Sequence, residues 1–139
     1  MTIRWITPIL GTAAAAEIRD LPDIQVIDVR DLVDKAGNRP DAIRETIRQG
    51  VIFLSEGKKT IVCCDYGISR SNAVAAGILA SFQKAPLDVA VRQVQAATGE
   101  TEIKLDTLSA VRRALQQLEY IRAWDGQFVT AVPELRIAS

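Results

Sequence analysis

Residues 64–71 read Cys64-Asp65-Tyr66-Gly67-Ile68-Ser69-Arg70-Ser71, and the segments on either side decide which fold can present them. Upstream, Thr60-Ile61-Val62-Cys63 is short, apolar and β-branched, which predicts a buried strand. Downstream, Asn72 to Phe82 is rich in alanine and predicts a helix that continues to about Lys84. The stretch therefore occupies a strand-to-helix turn. At such a turn backbone N–H groups point outward and the helix N-terminus carries partial positive charge, so the place suits an anion. The helix dipole and Arg70 both favour the thiolate form of Cys64. A nucleophilic thiolate beneath an oxyanion-binding loop is equipped to attack a phosphate ester.

Working outward, residues 3–10 predict a strand, or a short extended pair broken at Pro8. Thr12 is placed to cap a short helix through Arg19, because Ala13 to Ala16 favour helix. Ile24 to Val29 form a β-branched run that predicts a central strand. Residues 30–41 are polar, contain Gly37, Asn38 and Pro40, and predict a loop. Ile43, Ile47, Val51 and Leu54 recur at helical spacing, with Gly57 as the stop. A further helix starts at Pro86 or Leu87, presents Val91, Val94 and Ala97, and stops at Gly99. A last helix opens at Asp106 or Thr107 and carries Leu108, Val111, Leu115 and Leu118, with a mixed tail from Trp124 to Ser139. Strands alternating with helices, then a run of helices, predict an α/β fold: a small, mainly parallel central sheet flanked by helices.

The chain of 139 residues suits one domain spanning 1–139, with a core at about 3–118 and a C-terminal helix and tail at 119–139. Seventeen basic residues balance seventeen acidic ones, which gives no argument for a nucleic-acid or membrane partner. No stretch approaches the roughly 20 apolar residues of a membrane span, and Met1 to Trp5 lack the pattern of a signal peptide. A cytoplasmic location is the expectation. There is no histidine, which excludes Ser-His and Cys-His catalysis and histidine metal sites. With only two cysteines besides, a zinc site is not expected. Acid–base work falls to the carboxylates, and no cofactor is called for.

The 64–71 stretch resembles the phosphate-binding loop of cysteine-based phosphatases, the protein tyrosine phosphatase superfamily. Gly67, Ser69, Arg70 and Ser71 bring it closest to the dual-specificity branch, and Leu32 to Asn38 resemble the acid-bearing loop of its compact bacterial members. Residues 6–11 followed by the alanine run, and Leu87 to Leu115, resemble the start and the later helices of that domain. The resemblance implies that Cys64 forms a phosphocysteine and that Arg70 holds two phosphate oxygens through its planar fork. It also implies that the N–H groups of Asp65, Tyr66, Gly67, Ile68, Ser69 and Arg70 cradle the phosphate, and that Ser71 donates to the Cys64 sulfur. The family takes its general acid from an aspartate about thirty residues before the cysteine. Asp34 fits first, Asp31 second and Asp28 third. The implied substrate is a phosphorylated protein or a small phosphorylated metabolite, with a monophosphate favoured by a lysine-free loop that carries Asp65. The chain departs from the family in having Cys63 where histidine is usual, and one clear strand before the loop where two are usual.

Other readings of the same residues remain open. The loop could bind phosphate without turning it over. Val26-Ile27-Asp28-Val29-Arg30 resembles a segment of rhodanese domains, which implies sulfur transfer. Asp31 and Asp34 could be solvated loop charges. Cys63 fits a small strand residue pointing into the core, with capture of an oxidised Cys64 as its redox alternative.

Overall fold

The computed structural model describes residues 3–18, 21–30, 33–34, 37–38, 40–65 and 69–130, without side chains for 33–34, 37–38, 40 and 120–130. The main sheet has four strands: β1 (Arg4–Thr7), β2 (Leu10–Ala14), β3 (Ile24–Asp28) and β6 (Lys59–Cys64). Their order is β1-β2-β6-β3, with β1 antiparallel to β2, and β6 parallel to both β2 and β3. Four helices flank the sheet: α1 (Pro40–Ser55), α2 (Ser69–Gln83), α3 (Leu87–Thr98) and α4 (Leu105–Thr130). A small mixed sheet with helices packed against it is the expected α/β architecture.

The alternation of side chains along the strands fixes the layers. Leu10, Ile27, Val29, Val62 and Cys64 belong to one core with Ile43 and Ile47 of α1, Val74 and Ile78 of α2, Val94 of α3 and Val111 of α4. Each helix contributes an apolar stripe to that core. In α3 the stripe is Leu87, Ala90 and Val94, and Ala97 lies outside it, exposed. Gly57 ends α1 as expected: at φ +74° its N–H bonds to the Leu54 carbonyl, while Lys58 N–H reaches the Phe53 carbonyl. Gly99, at φ +76°, closes α3.

Several expectations are corrected. Thr12 does not cap a helix, because Leu10–Ala14 is strand β2 and only the 3₁₀ turn Ala15–Glu17 follows. The helical preference of alanine is worth only a few tenths of a kcal/mol per residue over other good formers. A helix there would forfeit the β2 ladders to β1 and β6 and strip β6 of one neighbour. Thr7 Oγ1 instead closes the β1–β2 turn, accepting from the N–H groups of Ile9 and Leu10. Strand β3 lies at the edge of the sheet rather than at its centre, and Val26 is 42% exposed there. The 30–41 segment contains a two-rung hairpin, β4 (Val33–Asp34) against β5 (Gly37–Asn38). Helix α4 runs on through Trp124 to Thr130.

Helix α2 approaches α1 and α4 closely enough to require glycine. A Cβ on Gly77 would lie 2.7 Å from Val111 Cγ1 and 2.9 Å from Ile47 Cδ1, both on fully buried side chains. Alanine gains about 1 kcal/mol of helix propensity over glycine, but overpacking a dense core costs about 1–3 kcal/mol. Gly77→Ala should therefore lower the unfolding free energy by about 1 kcal/mol, measured by chemical denaturation.

Candidate active site

Strand β6 brings its last residue, Cys64, to the carboxyl end of the parallel strands, where ligands of open α/β sheets bind. From Thr60 to Cys64 every residue of the strand is buried. Asp65 follows as a bend, and α2 begins at Ser69, so Arg70 stands in the first helical turn. Tyr66, Gly67 and Ile68 lie outside the described residues, as does Asp31. Asp34 is described in its backbone alone, paired with Gly37 across the β4–β5 hairpin.

The two cysteines are separated by the pleat. Cys64 belongs to the helix-covered core, whereas Cys63 stands opposite Ala13 and Asp28 in the neighbouring strands and points to the other face. Neither is in a disulfide. Burial first, and the Asp28 carboxylate second, push the Cys63 thiol up to about 11. Cys63 is therefore neutral near pH 7, as a core residue should be.

Arg70 and Asp65 form an ion pair: Nη2 donates to Asp65 Oδ2 at 2.9 Å, and Nη1 donates to the Arg30 carbonyl at 3.1 Å. Arg30 in turn grips Asp28, with Nε 3.0 and 2.9 Å from the two carboxylate oxygens and Nη2 2.6 Å from Oδ2. Hydrogen bonding from Arg30 is the main cause that holds the Asp28 carboxyl below the usual range. An aspartate kept ionised in this way is poorly suited to protonate a leaving group, which removes the third-ranked acid.

Two further features escaped the sequence. Ser69 Oγ accepts the backbone N–H of Lys104 at 2.9 Å, which ties the α3–α4 connection to the start of α2. That connection is steadied by Gln95 Nε2 donating to the Thr101 carbonyl at 2.9 Å. No local pattern announces a contact across 35 residues. Next, Ser71 and Asn72 are fully buried, and the Ser71 hydroxyl and both Asn72 amide atoms lack hydrogen-bond partners among the described residues. The bond from Ser71 to the Cys64 sulfur is thus not made in the free chain. The Asp28-Arg30 fork did have a signal, since an aspartate commonly accepts the backbone N–H two residues on, as Asp28 Oδ1 does from Arg30 at 3.0 Å, which brings the two side chains together.

No group of three or more potential metal ligands occurs among the described residues. No described helix is long and apolar enough to cross a membrane. A groove of about 640 Å³ lined by Ala80, Lys84, Leu87, Arg112, Leu115 and Leu118 lies at the opposite end of α2 from Cys64 and Arg70.

Neither a protein-family model nor a curated protein sequence matches the chain. Solved structures do. A mouse protein assigned to the dual specificity phosphatases, crystallised with zinc tungstate, superposes with a TM-score of 0.72 at 18% identity over 86% of this chain and 90% of that one. Human DUSP28 gives 0.66 at 18% identity over 86% and 99%. The chain has the dual-specificity phosphatase fold. A human protein described as tyrosine phosphatase-like, serine/threonine/tyrosine-interacting, also shares this phosphatase fold, with a TM-score of 0.61 at 18% identity over 87% and 97%. The likeness is one of fold and does not single out the compact bacterial type.

The Cys63 thiol gives a pH signature. Its folded value, about 11, lies above the ordinary 9.0, so folding holds the proton more tightly than the unfolded chain does. That stabilisation is complete below pH 9 and is lost as pH rises through about 11. It amounts to about 3 kcal/mol at most. Denaturation of wild type and Cys63→Ala across this window should show a shallower alkaline loss for the variant.

Proposed function

We propose that this chain hydrolyses phosphate monoesters through a phosphocysteine on Cys64. The observation that carries the reading is Cys64 at the end of β6 with Arg70 in the first turn of α2, on the phosphatase fold. The phosphoryl group rests against the N–H groups of residues 65–70, at the positive end of α2. The Arg70 fork turns onto two of its oxygens. Cys64 Sγ attacks phosphorus as a thiolate, the bond to the leaving oxygen breaks, and an aspartic acid protonates that oxygen. Water then attacks the phosphocysteine, the same aspartate takes its proton, and inorganic phosphate departs as the thiolate re-forms. The buried Ser71 hydroxyl, without a partner in the free chain, donates to the sulfur as the S–P bond breaks.

Asp34 is the first choice for the acid and Asp31 the second. Strand β3 runs parallel to β6 with Asp28 opposite Cys63, so the chain leaves β3 at the end of the sheet where Cys64 lies. Asp31 follows Asp28 by three residues and Asp34 by six, reaches of at most about 10 and 20 Å of extended chain. Either is within range of a substrate seated on the loop. With no lysine among residues 65–69 and an aspartate beside the nucleophile, the loop fits a singly phosphorylated protein or a small phosphorylated metabolite.

A second reading is a module that binds phosphate without turnover. It draws support from Arg70, which is held by Asp65 and the Arg30 carbonyl in the free chain. Hydrolysis of a small aryl phosphate tests both readings. Cys64→Ser should abolish turnover, and Asp34→Asn should lower kcat by about 10²–10⁴, with a smaller effect from Asp31→Asn. Vanadate binding without turnover would favour the binding module, and sulfur transfer from thiosulfate would replace both readings with the rhodanese-like one.

A further inference from the structure

Four charged side chains meet at the carboxyl end of β3 and β6, and they cancel in pairs: Arg30 with Asp28, Arg70 with Asp65. The pairs differ in what they leave available. Arg30 and Asp28 are neighbours on one segment and satisfy one another through three side-chain hydrogen bonds. Arg70 is the group that an incoming phosphate needs, and each of its two terminal nitrogens is engaged, one by Asp65 Oδ2 and one by the Arg30 carbonyl. A two-point grip on an oxyanion requires parallel N–H donors of the same fork. Two of the fork's five N–H donors are thus taken, and phosphate meets an Arg70 already turned toward a carboxylate that reaches it from five residues away.

We propose that Asp65 is a specificity-determining residue that acts as a built-in competitor for Arg70, and that its carboxylate sets a low affinity for free phosphate and disfavours charge-dense phosphate esters. The proposal rests on the reading of the 64–71 loop as a phosphate site. The pair is open to solvent, with the Asp65 side chain 51% exposed and that of Arg70 25% exposed, so water and salt weaken it. It is a clamp that substrate can displace, not a lock. Once displaced, the Asp65 carboxylate stays beside the bound phosphoryl group without its cation. The repulsion then grows with the charge of the ligand. A monoester carrying one phosphate suffers least, and a neighbouring second phosphate adds to the cost.

The test uses the full chain in a Cys64→Ser background, where no thiolate varies between variants. Binding of inorganic phosphate and of inorganic pyrophosphate is measured by calorimetry at low and high ionic strength. Asp65→Asn and Asp65→Ala, each checked by thermal melt, should bind phosphate about two- to fivefold more tightly than the parent at low salt. The gain should be larger for pyrophosphate and should shrink at high salt. Asp65→Glu, which keeps the charge, should stay near the parent. Equal or weaker phosphate binding by both neutral variants, or a gain independent of salt and ligand charge, would overturn the role of Asp65 while leaving the phosphate site intact. Absence of phosphate binding in the parent and in every variant would instead overturn the phosphate-site reading, and the inference with it.

Discussion

The parallel pairing of β6 between β2 and β3 is the constraint on which the rest of the structure depends. A strand hydrogen-bonded on both sides has no freedom to slip, since a shift of one residue would turn every side chain to the other face. The register sets Ala14 opposite Cys64, and Ala13 and Asp28 opposite Cys63. It therefore decides which of two adjacent cysteines lies under α2 and which faces Asp28. Gly11, Thr12 and Ala13 let β2 lie buried beside β6 along most of its length. Gly77, Ala73, Ala76 and Ala80 let α2 settle onto the core with its first turn close to the strand end.

Much of this was legible in the chain because the signals were local. A buried β-branched run, an alanine-rich run and a cysteine with an arginine six residues on are each read within a few residues, and together they placed the turn at 64–71. Helix α1 could be read from Ile43, Ile47 and Leu54, and its end from Gly57. Failures came where a distant partner outweighed a local preference. Ala13 to Ala16 favour helix by themselves, yet β2 is needed to pair both β1 and β6. Ile24 to Val29 suggested a central strand because composition reports β-branching, not the number of neighbours, and β3 has only β6 beside it in the main sheet. The Lys104–Ser69 and Arg70–Arg30 contacts span 35 and 40 residues and leave no periodic trace.

The shortened region between β2 and β6 has a structural counterpart. Between β3 and α1 the described chain forms the two-rung hairpin β4–β5, a sheet apart from the main one. The carboxyl end of β3, from which the chain runs on toward the candidate acids, is fixed to β6 by the rung between Asp28 and Cys63.

The balance of charge follows from the same register. In the position where the resembled family has histidine, this chain has a thiol that burial keeps protonated to about pH 11, so Cys63 brings no positive charge to the site. The guanidinium of Arg30 is spent on Asp28, and that of Arg70 is shared with Asp65 in the free chain. For the proposed phosphate site, what does not titrate then joins Arg70 in supporting an anion: the N-terminus of α2 and the backbone N–H groups of its first turn, with the buried Ser71 hydroxyl behind them. A site built in this way gains its positive character from geometry held by β6 and α2. On the proposed reading, its affinity for phosphate is set less by the number of cations near Cys64 than by how readily Asp65 yields Arg70.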